Sequence, residues 1–359
     1  MDTSKCAPHT KSLEEEGGVC KSCYKAKTLK DISRGINKHT NHKITNIDNK
    51  KKQELWEDIH NVMSKKNGCK TEMCWIKDNV IDKLSNIVKE EIRQSTFKPP
   101  KPLSWNTNKN EWLSTTDILA VMRQHETNIP HFKFHGPTPI DFHLKDATGN
   151  CMVDDLCAIN LRELIDSGIE IIGIVFNTDP HNKSGQHWIS MYIDLFDRNC
   201  LFSGGKNHSK KKKKKNKNYK KYLKKHKKDR EDIDKYTIDK VSDGEIHTKE
   251  DLMEENPEVI KQRCSGIYYF DSQGLKPSDN VVKLMEKLCK QGDNCNIKFQ
   301  KLYNDIQHQK KNTECGIYSI HFIINMLNGM KFKDYINVIR DDEEMEHFRD
   351  VYYIDQRKI

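Results

Sequence analysis

An apolar run near the carboxyl end of the chain, residues 317–327, constrains the fold more than any other stretch. Its apolar residues recur at the three- and four-residue spacing of a helix, and Cys315 and Gly316 stand at its start. The unpaired N–H groups and the positive dipole end of a helix N-terminus favour a thiolate over a thiol. The run therefore predicts a helix that carries a nucleophilic cysteine, with Gly316 allowing a substrate backbone to approach.

Three residues upstream complete the set that amide hydrolysis by a thiol requires. His187 opens one strand-patterned segment, Asp271 ends another, and Gln309 lies six residues before Cys315. The imidazole would move the proton, the carboxylate would orient the imidazole, and the Gln309 amide with the Cys315 N–H would form an oxyanion hole. Taken singly, each residue has an ordinary structural role as an alternative; the order His, Asp, Gln, Cys favours catalysis.

These motifs resemble those of the ubiquitin-like-protein protease superfamily of cysteine peptidases. That superfamily includes SUMO proteases, the adenoviral protease and the core-protein processing proteases of asfarviruses, poxviruses and mimiviruses. The resemblance covers roughly the last 250 residues, about the size of one domain. It is carried by His187-Trp188, Asp271-Ser272, Gln309 and the run Cys315-Gly316-Ile317-Tyr318.

The resemblance implies an α+β fold: a papain-like or adenain-like cysteine protease with a central mixed sheet and a nucleophile helix, behind a small helical N-terminal arm. It also implies that Trp112 and Trp188 form a tunnel around the residues before the scissile bond. Only glycine lacks the side chain that would clash there. We therefore expect a protein substrate with a Gly-Gly or Ala-Gly site, and no cofactor.

Two departures from the family pattern bear on the substrate and on partners. The family's acidic position three after the first Trp is Thr115 here, which weakens the case for SUMO as substrate. The strands that carry His187 and Asp271, hairpin neighbours in the family, are separated by a charged low-complexity insertion over residues 197–262.

The insertion also accounts for the basic charge of the chain. The net charge is +9, and Lys206–Lys228 holds 14 Lys and no acid, so the remainder carries −5. The lysine run fits a solvated extension, a surface for nucleic acid or another polyanion, or a nuclear-import signal. No run is long and apolar enough for a membrane span, and the first residues lack the apolar core of a signal peptide. We expect no membrane partner.

Composition predicts how the chain is divided. A mean hydropathy of −0.87 with 35% hydrophobic residues indicates that a good part is not core. We predict a flexible polar Cys-containing arm over 1–50, a helical N-terminal domain over 51–97, a stiff Pro-rich linker over 98–104 and the protease domain over 105–359.

The cysteines of the N-terminal arm have a second interpretation. Cys20 and Cys23 have the two-residue spacer of zinc ligands, and Cys6 or His9 would add to them. The alternative, which we favour, is free thiols, and we expect most of the 12 cysteines to be reduced in an intracellular compartment.

The resemblance and the Lys-, Asn- and Ile-rich composition point to a large DNA virus, with the protein in the virion and the host cytoplasm. Three functions stay open from the sequence. The first is a protease that processes viral structural or core precursors during virion maturation. The second is a ubiquitin or SUMO deconjugating protease, and the third is an inactive scaffold that binds nucleic acid through the lysine run.

Overall fold

The computed structural model of the chain describes residues 5–8, 22–151, 155–195 and 265–355. The chain divides into two compact units, one of Met1–Ile129 with Glu346–Ile359 and one of Pro130–Met345. This division falls after the segment predicted as a linker, and it assigns the carboxyl-terminal residues to the first unit. The predicted insertion, with its lysine run, lies outside the described residues.

The first unit is helical. Its helices are α1 (Ala26–His39), α2 (Lys52–Asn67), α3 (Glu72–Trp75), α4 (Asn79–Asp82), α5 (Asn86–Ser95) and α6 (Thr115–Asn128), with a 3-10 turn at Leu103–Asn106. Ser114 caps α6, since its hydroxyl accepts the N–H of Asp117 at 3.2 Å and the Asp117 carboxylate accepts the N–H of Ser114 at 2.8 Å.

The prediction of a flexible arm over residues 1–50 is wrong for its described part, because α1 lies within it. Leu29, Ile32 and Ile36 are fully buried in one cluster with Leu55 and Ile59 of α2. The polar composition concealed this narrow apolar stripe, whose three residues recur at helical spacing. A helix of this length is stabilised by packing of that stripe rather than by its own propensity.

The Pro-rich segment at 98–104, predicted as a stiff linker between domains, is an ordered part of the first unit. The N–H of Lys98 donates to the carbonyl of Lys5 at 3.0 Å, and the N–H of Lys101 donates to the carbonyl of Ile354 at 2.8 Å. The N–H of Ile354 returns a bond to the carbonyl of Pro99 at 2.9 Å. An extended segment has no internal hydrogen bonds, so its backbone groups are available for such pairing.

Most described cysteines are paired, which contradicts the expectation of free thiols. Disulfides join Cys6 to Cys23, Cys69 to Cys74 and Cys151 to Cys157. Among the described residues, the free cysteines are Cys289, Cys295 and Cys315. The zinc hypothesis loses Cys6 and Cys23 to a disulfide, while His9 and Cys20 lie outside the described residues.

The second unit is an α+β structure around one sheet. Its elements are β1 (Phe132–Pro139), a 3-10 turn at Asp155–Ala158, α7 (Leu161–Asp166), β2 (Ile171–Asn177), β3 (Trp188–Asp194), β4 (Ser265–Phe270), α8 (Asp279–Asp293), β5 (Phe299–Tyr303), α9 (Cys315–Leu327) and α10 (Phe332–Asn337); the division between units falls within α11 (Asp342–Tyr352). Within the described ranges, none of the helices is both long and apolar enough to cross a bilayer.

The sheet has five strands in the order β1-β2-β3-β4-β5. The outer pairs β1/β2 and β4/β5 are parallel, whereas β2/β3 and β3/β4 are antiparallel. The α+β class with a mixed sheet is thus confirmed. The ladder between β3 and β4 ends at the pair Ser190–Phe270, so His187 and Asp271 lie just beyond the same end of the sheet.

Helix α9 is buried along its whole length against the sheet. Gly173 of β2 allows this close packing, because a Cβ added there would lie 2.9 Å from the Phe132 ring and 3.1 Å from Cγ2 of Ile323. Both distances are shorter than ordinary van der Waals contacts.

Replacing Gly173 by alanine is expected to lower the free energy of unfolding by about 1–3 kcal/mol through overpacking. Denaturant unfolding measures the loss. The matched comparison is Ile323→Ala, alone and combined with Gly173→Ala. The space left by the Ile323 side chain would accept the methyl group that Gly173→Ala adds. The losses of stability in the two single variants should therefore sum to more than the loss in the double variant. Strict additivity would contradict the proposed contact.

Candidate active site

Cys315 is the first residue of α9 and only 1% exposed. The helix begins at the N-cap Glu314, whose carbonyl accepts the N–H of Tyr318 at 2.9 Å. N–H groups in the first turn of a helix have no intrahelical acceptor, and the helix dipole places positive potential there. The thiol therefore lies where a developing anion is stabilised.

His187 immediately precedes β3 and faces two acidic partners. Its carbonyl accepts the N–H of Thr178 at 2.9 Å, which fixes the backbone at the strand entrance. Its Nε2 lies 2.8 Å from Oδ1 of Asp271, and the ring also hydrogen-bonds with Cys315. Because Nε2 is engaged by the carboxylate, Nδ1 is the nitrogen left for the thiol.

These contacts determine the protonation of His187. Burial by itself lowers the pKa of the imidazole, but the hydrogen bonds and negative charges of Asp271 and Cys315 outweigh it and raise the pKa from 6.5 to about 9. The ring is therefore expected to carry a proton at neutral pH. A protonated imidazole between a carboxylate and a sulfur is the state that can later release its proton to a leaving amine.

Hydrogen bonds to both the main chain and the carboxylate of Asp271 hold this residue in place. Its Oδ1 accepts the N–H of Gln273 at 2.8 Å. Its N–H donates to Oδ1 of Asn304 at 2.8 Å, while Nδ2 of Asn304 donates to the carbonyls of Asp271 and Ile306 at 2.8 and 3.0 Å. The fully buried Asn304 thus clamps the backbone at the residue that orients His187.

Sequence reasoning missed Asn304. It follows β5 directly, as Asp271 follows β4, and residues after parallel neighbours meet at the same sheet edge. The only available signal was this position after a strand, and no local pattern indicates that the two strands are neighbours.

Replacing Asn304 by leucine is expected to lower the free energy of unfolding by about 2–3 kcal/mol, because the buried N–H of Asp271 and the carbonyl of Ile306 would lose this partner. The carbonyl of Asp271 would keep the N–H of Gly274, 2.9 Å away. Chemical denaturation measures it.

The matched control is Gln300→Leu on β5, which removes one partly exposed bond to the Tyr268 hydroxyl and should cost about 1 kcal/mol or less. Equal losses of stability in Asn304→Leu and Gln300→Leu would mean that the hydrogen bonds of Asn304 contribute no more than an ordinary surface bond.

Gln309 is buried beside Asp271's neighbour, Ser272. The Ser272 hydroxyl donates to Oε1 of Gln309 at 2.7 Å. Within the described part of the chain, Nε2 of Gln309 is buried and has no hydrogen-bond partner. Buried donors are nearly always paired, so an orphaned amide N–H group is a candidate for binding a ligand oxygen.

The loop from Gln309 to Cys315 is anchored by another residue that the sequence did not indicate. The carboxylate of Asp342 accepts the N–H groups of Lys310 and Lys311 at 2.9 and 2.8 Å. The hydroxyl of Tyr318, on the first turn of α9, lies 3.5 Å from the other carboxylate oxygen. One acid therefore connects the loop that carries Gln309 with the helix that carries Cys315.

The predicted substrate-binding residues are distributed over both units. Trp188 opens β3 and is buried, and Gly316 is buried in α9. Trp112 belongs to the first unit and is 42% exposed. The tunnel formed by the two tryptophans stays a prediction.

The candidate metal ligands do not form a centre in the described residues. No group of three or more His, Cys, Asp or Glu side chains that could hold a metal ion occurs in this part of the chain.

Proton exchange between a thiol and an imidazole, with a carboxylate behind the ring, is the chemistry of peptide-bond hydrolysis by cysteine. This chemistry, together with homology to viral thiol proteases, identifies the chain as a cysteine protease. No protein-family model matches the chain.

The relatives are proteases of two viruses. A protein of Acanthamoeba polyphaga mimivirus named "Putative thiol protease R355" is 26% identical over 290 residues, which cover 79% of this chain and 69% of that protein. The SUMO-1 cysteine protease of African swine fever virus (ASFV), isolate Pig/Kenya/KEN-50/1950, is 34% identical over 87 residues, which cover 24% of this chain and 32% of that protein. The chain is homologous to both viral proteases.

A solved structure shows the same fold. The crystal structure of the corresponding ASFV protease matches with a TM-score of 0.54 and 17% identity, covering 99% of this chain and 97% of that chain. The fold expected from the resemblance to viral cysteine proteases is confirmed.

Proposed function

We propose that this protease cleaves viral structural or core precursor proteins after Gly-Gly or Ala-Gly type sites during virion maturation, in the virion and the host cytoplasm. The observation that carries the proposal is the placement of His187 between Cys315 and Asp271. The viral origin of the relatives supports the class of substrate.

The proposed reaction begins from the ion pair in which His187 already holds the proton and the Cys315 sulfur is a thiolate. The thiolate attacks the scissile carbonyl carbon, and the resulting oxyanion is bound by the Cys315 N–H and the Gln309 amide. The imidazolium then gives its proton to the leaving amine, which breaks the C–N bond and leaves a thioester. His187 next takes a proton from water, whose oxygen attacks the thioester, and the departing acid product leaves the ion pair restored.

The proposed specificity depends on a narrow approach to the thiol, which the resemblance implies. By the resemblance, Trp188 and Gly316 would lie beside the two residues before the scissile bond, where a side chain would clash and glycine would not. This requirement selects Gly-Gly or Ala-Gly over bulkier sequences.

A second candidate is removal of SUMO or ubiquitin from conjugates. The ASFV relative is named a SUMO-1 cysteine protease, which favours testing it. Thr115 argues against it, since the acidic position that grips a folded modifier in SUMO proteases is absent here. Binding of nucleic acid concerns the lysine run, which lies outside the described residues.

Labelling by activity-based probes separates these candidates. A Gly-Gly vinyl sulfone peptide is compared with the same warhead on full-length SUMO and on ubiquitin, in the wild type and in Cys315→Ala. The proposal expects the short peptide to label Cys315 as fast as the full modifiers do. Labelling by a full modifier alone would favour deconjugation, and no labelling by any probe would favour the scaffold.

A further inference from the structure

The orphaned amide group of Gln309 raises the question of what determines its orientation. A glutamine side chain has an accepting oxygen and a donating NH₂ group of nearly the same shape, so it can present either end. An oxyanion is stabilised only by the NH₂ end. The oxygen end would place a lone pair against the developing negative charge.

In the structure, Ser272 bonds the accepting end of this amide. Its hydroxyl proton is donated to Oε1 of Gln309 at 2.7 Å, which leaves Nε2 as the end without a partner among the described residues. Both side chains are 1% exposed, so water does not compete readily for this bond.

The backbone of Ser272 reinforces the arrangement. Its carbonyl accepts the N–H groups of His308 and Gln309, each at 2.8 Å. Ser272 therefore holds Gln309 at two points, through the main chain and through the side-chain amide. The carbonyl bonds would survive removal of the hydroxyl, so the effect of the hydroxyl can be measured separately.

We propose that Ser272 is a positioning residue for the oxyanion hole: its hydroxyl orients the Gln309 amide so that the NH₂ group faces the oxyanion. This inference rests on the proposed function, in which Gln309 stabilises the tetrahedral intermediate. Because Ser272 adjoins Asp271, one end of β4 positions the group that orients the base and the group that binds the oxyanion.

The inference predicts a loss specific to the oxyanion. Removing an oxyanion donor costs about 10²–10³ in rate, and a misoriented amide still points correctly part of the time, so Ser272→Ala should lower kcat/KM for a Gly-Gly peptide amide about tenfold. Affinity for a Gly-Gly peptide aldehyde, whose adduct with Cys315 carries the oxyanion, should fall by a similar factor. Alkylation of Cys315 by iodoacetamide should change less than about twofold, because it forms no oxyanion.

Two further variants separate positioning from general structural support. Ser272→Thr retains the hydroxyl and should restore most of the loss seen in Ser272→Ala. In a Gln309→Ala background, Ser272→Ala should have less than about a twofold further effect, because the residue that it orients is gone.

The inference is overturned if Ser272→Ala equals the wild type, or if its full loss persists in the Gln309→Ala background. Failure of the proposed function would be distinguishable, since the wild type itself would then neither cleave the peptide nor bind the aldehyde. Thermal unfolding checks that each variant folds. If Ser272→Ala does not fold, the nearly isosteric Ser272→Cys, a weak donor, should show the same loss of turnover.

Discussion

Replacing Cys315 by alanine is expected to reduce cleavage of a Gly-Gly peptide by at least about 10⁴-fold, since removal of the nucleophile of a catalytic set removes covalent catalysis altogether. The folded structure should persist, because Cys315 is a small buried residue at the start of α9 and alanine is a good helix former. Steady-state cleavage and a thermal unfolding curve for the same preparation measure the two effects together.

The matched controls are Cys289→Ala and Cys295→Ala, which remove the other free cysteines of the described residues. Both should retain activity within about twofold, since both side chains are only partly buried beside the core and alanine removes little from it. Burial raises the pKa of the Cys289 thiol, so we also expect it to alkylate slowly at neutral pH. Loss of activity in either control, with activity kept in Cys315→Ala, would show that Cys315 is not the nucleophile.

Replacing His187 by alanine is expected to reduce cleavage by about 10³-fold or more, because the thiol loses its base and the leaving amine loses its acid. Alkylation of Cys315 by iodoacetamide at pH 7 should slow about tenfold and rise steeply toward pH 9. A free cysteine has a pKa of about 8.5 and is mostly a thiol at pH 7. In the wild type, His187 holds its proton up to about pH 9, so the alkylation rate should rise less steeply over this range than in His187→Ala.

The chain offers a matched control for His187. His181 lies in the same loop before β3, and its Nδ1 is 2.6 Å from Oδ2 of Asp141, which forms a second histidine–carboxylate pair. His181→Ala should leave cleavage and the pH dependence of alkylation nearly unchanged. If His181→Ala abolishes cleavage as His187→Ala does, the loop as a whole and not the imidazole of His187 carries the effect.

The pKa of His187 also predicts how its contribution to stability depends on pH. The folded-state pKa is about 9, above the unfolded value near 6.5, so protonation favours the folded protein. The contribution is fully present below pH 6.5 and is lost as the pH rises through 9. The difference in melting temperature between the wild type and His187→Ala should therefore shrink between these pH values.

Local patterns in the sequence were sufficient for much of the second unit. The apolar run after Cys315 is α9. The strand-patterned segments next to His187 and Asp271 are β3 and β4, which are antiparallel neighbours. These elements are readable because burial on a sheet or in a helix imposes a period on the residues themselves.

The same reasoning failed for α1 of the first unit for a related cause. The residues of α1 are mostly polar, and its three buried aliphatic side chains acquire a partner only when α2 packs against them. Disulfide pairing of Cys6 with Cys23 likewise depends on two segments meeting in space, whereas the sequence favoured free thiols, with zinc as the alternative.

The sequence by itself determined the chemistry: a thiol at a helix N-terminus, with a histidine, a carboxylate and an amide in a recognisable order, because these signals are residue identities and short spacings. Tertiary structure alone decided what holds those groups in place. Asn304 reaches Asp271 through parallel pairing of β4 and β5, and Ser272 reaches Gln309 across 37 residues of chain. Such contacts have no period in the sequence, since they exist only once the strands have paired and buried polar groups must find partners.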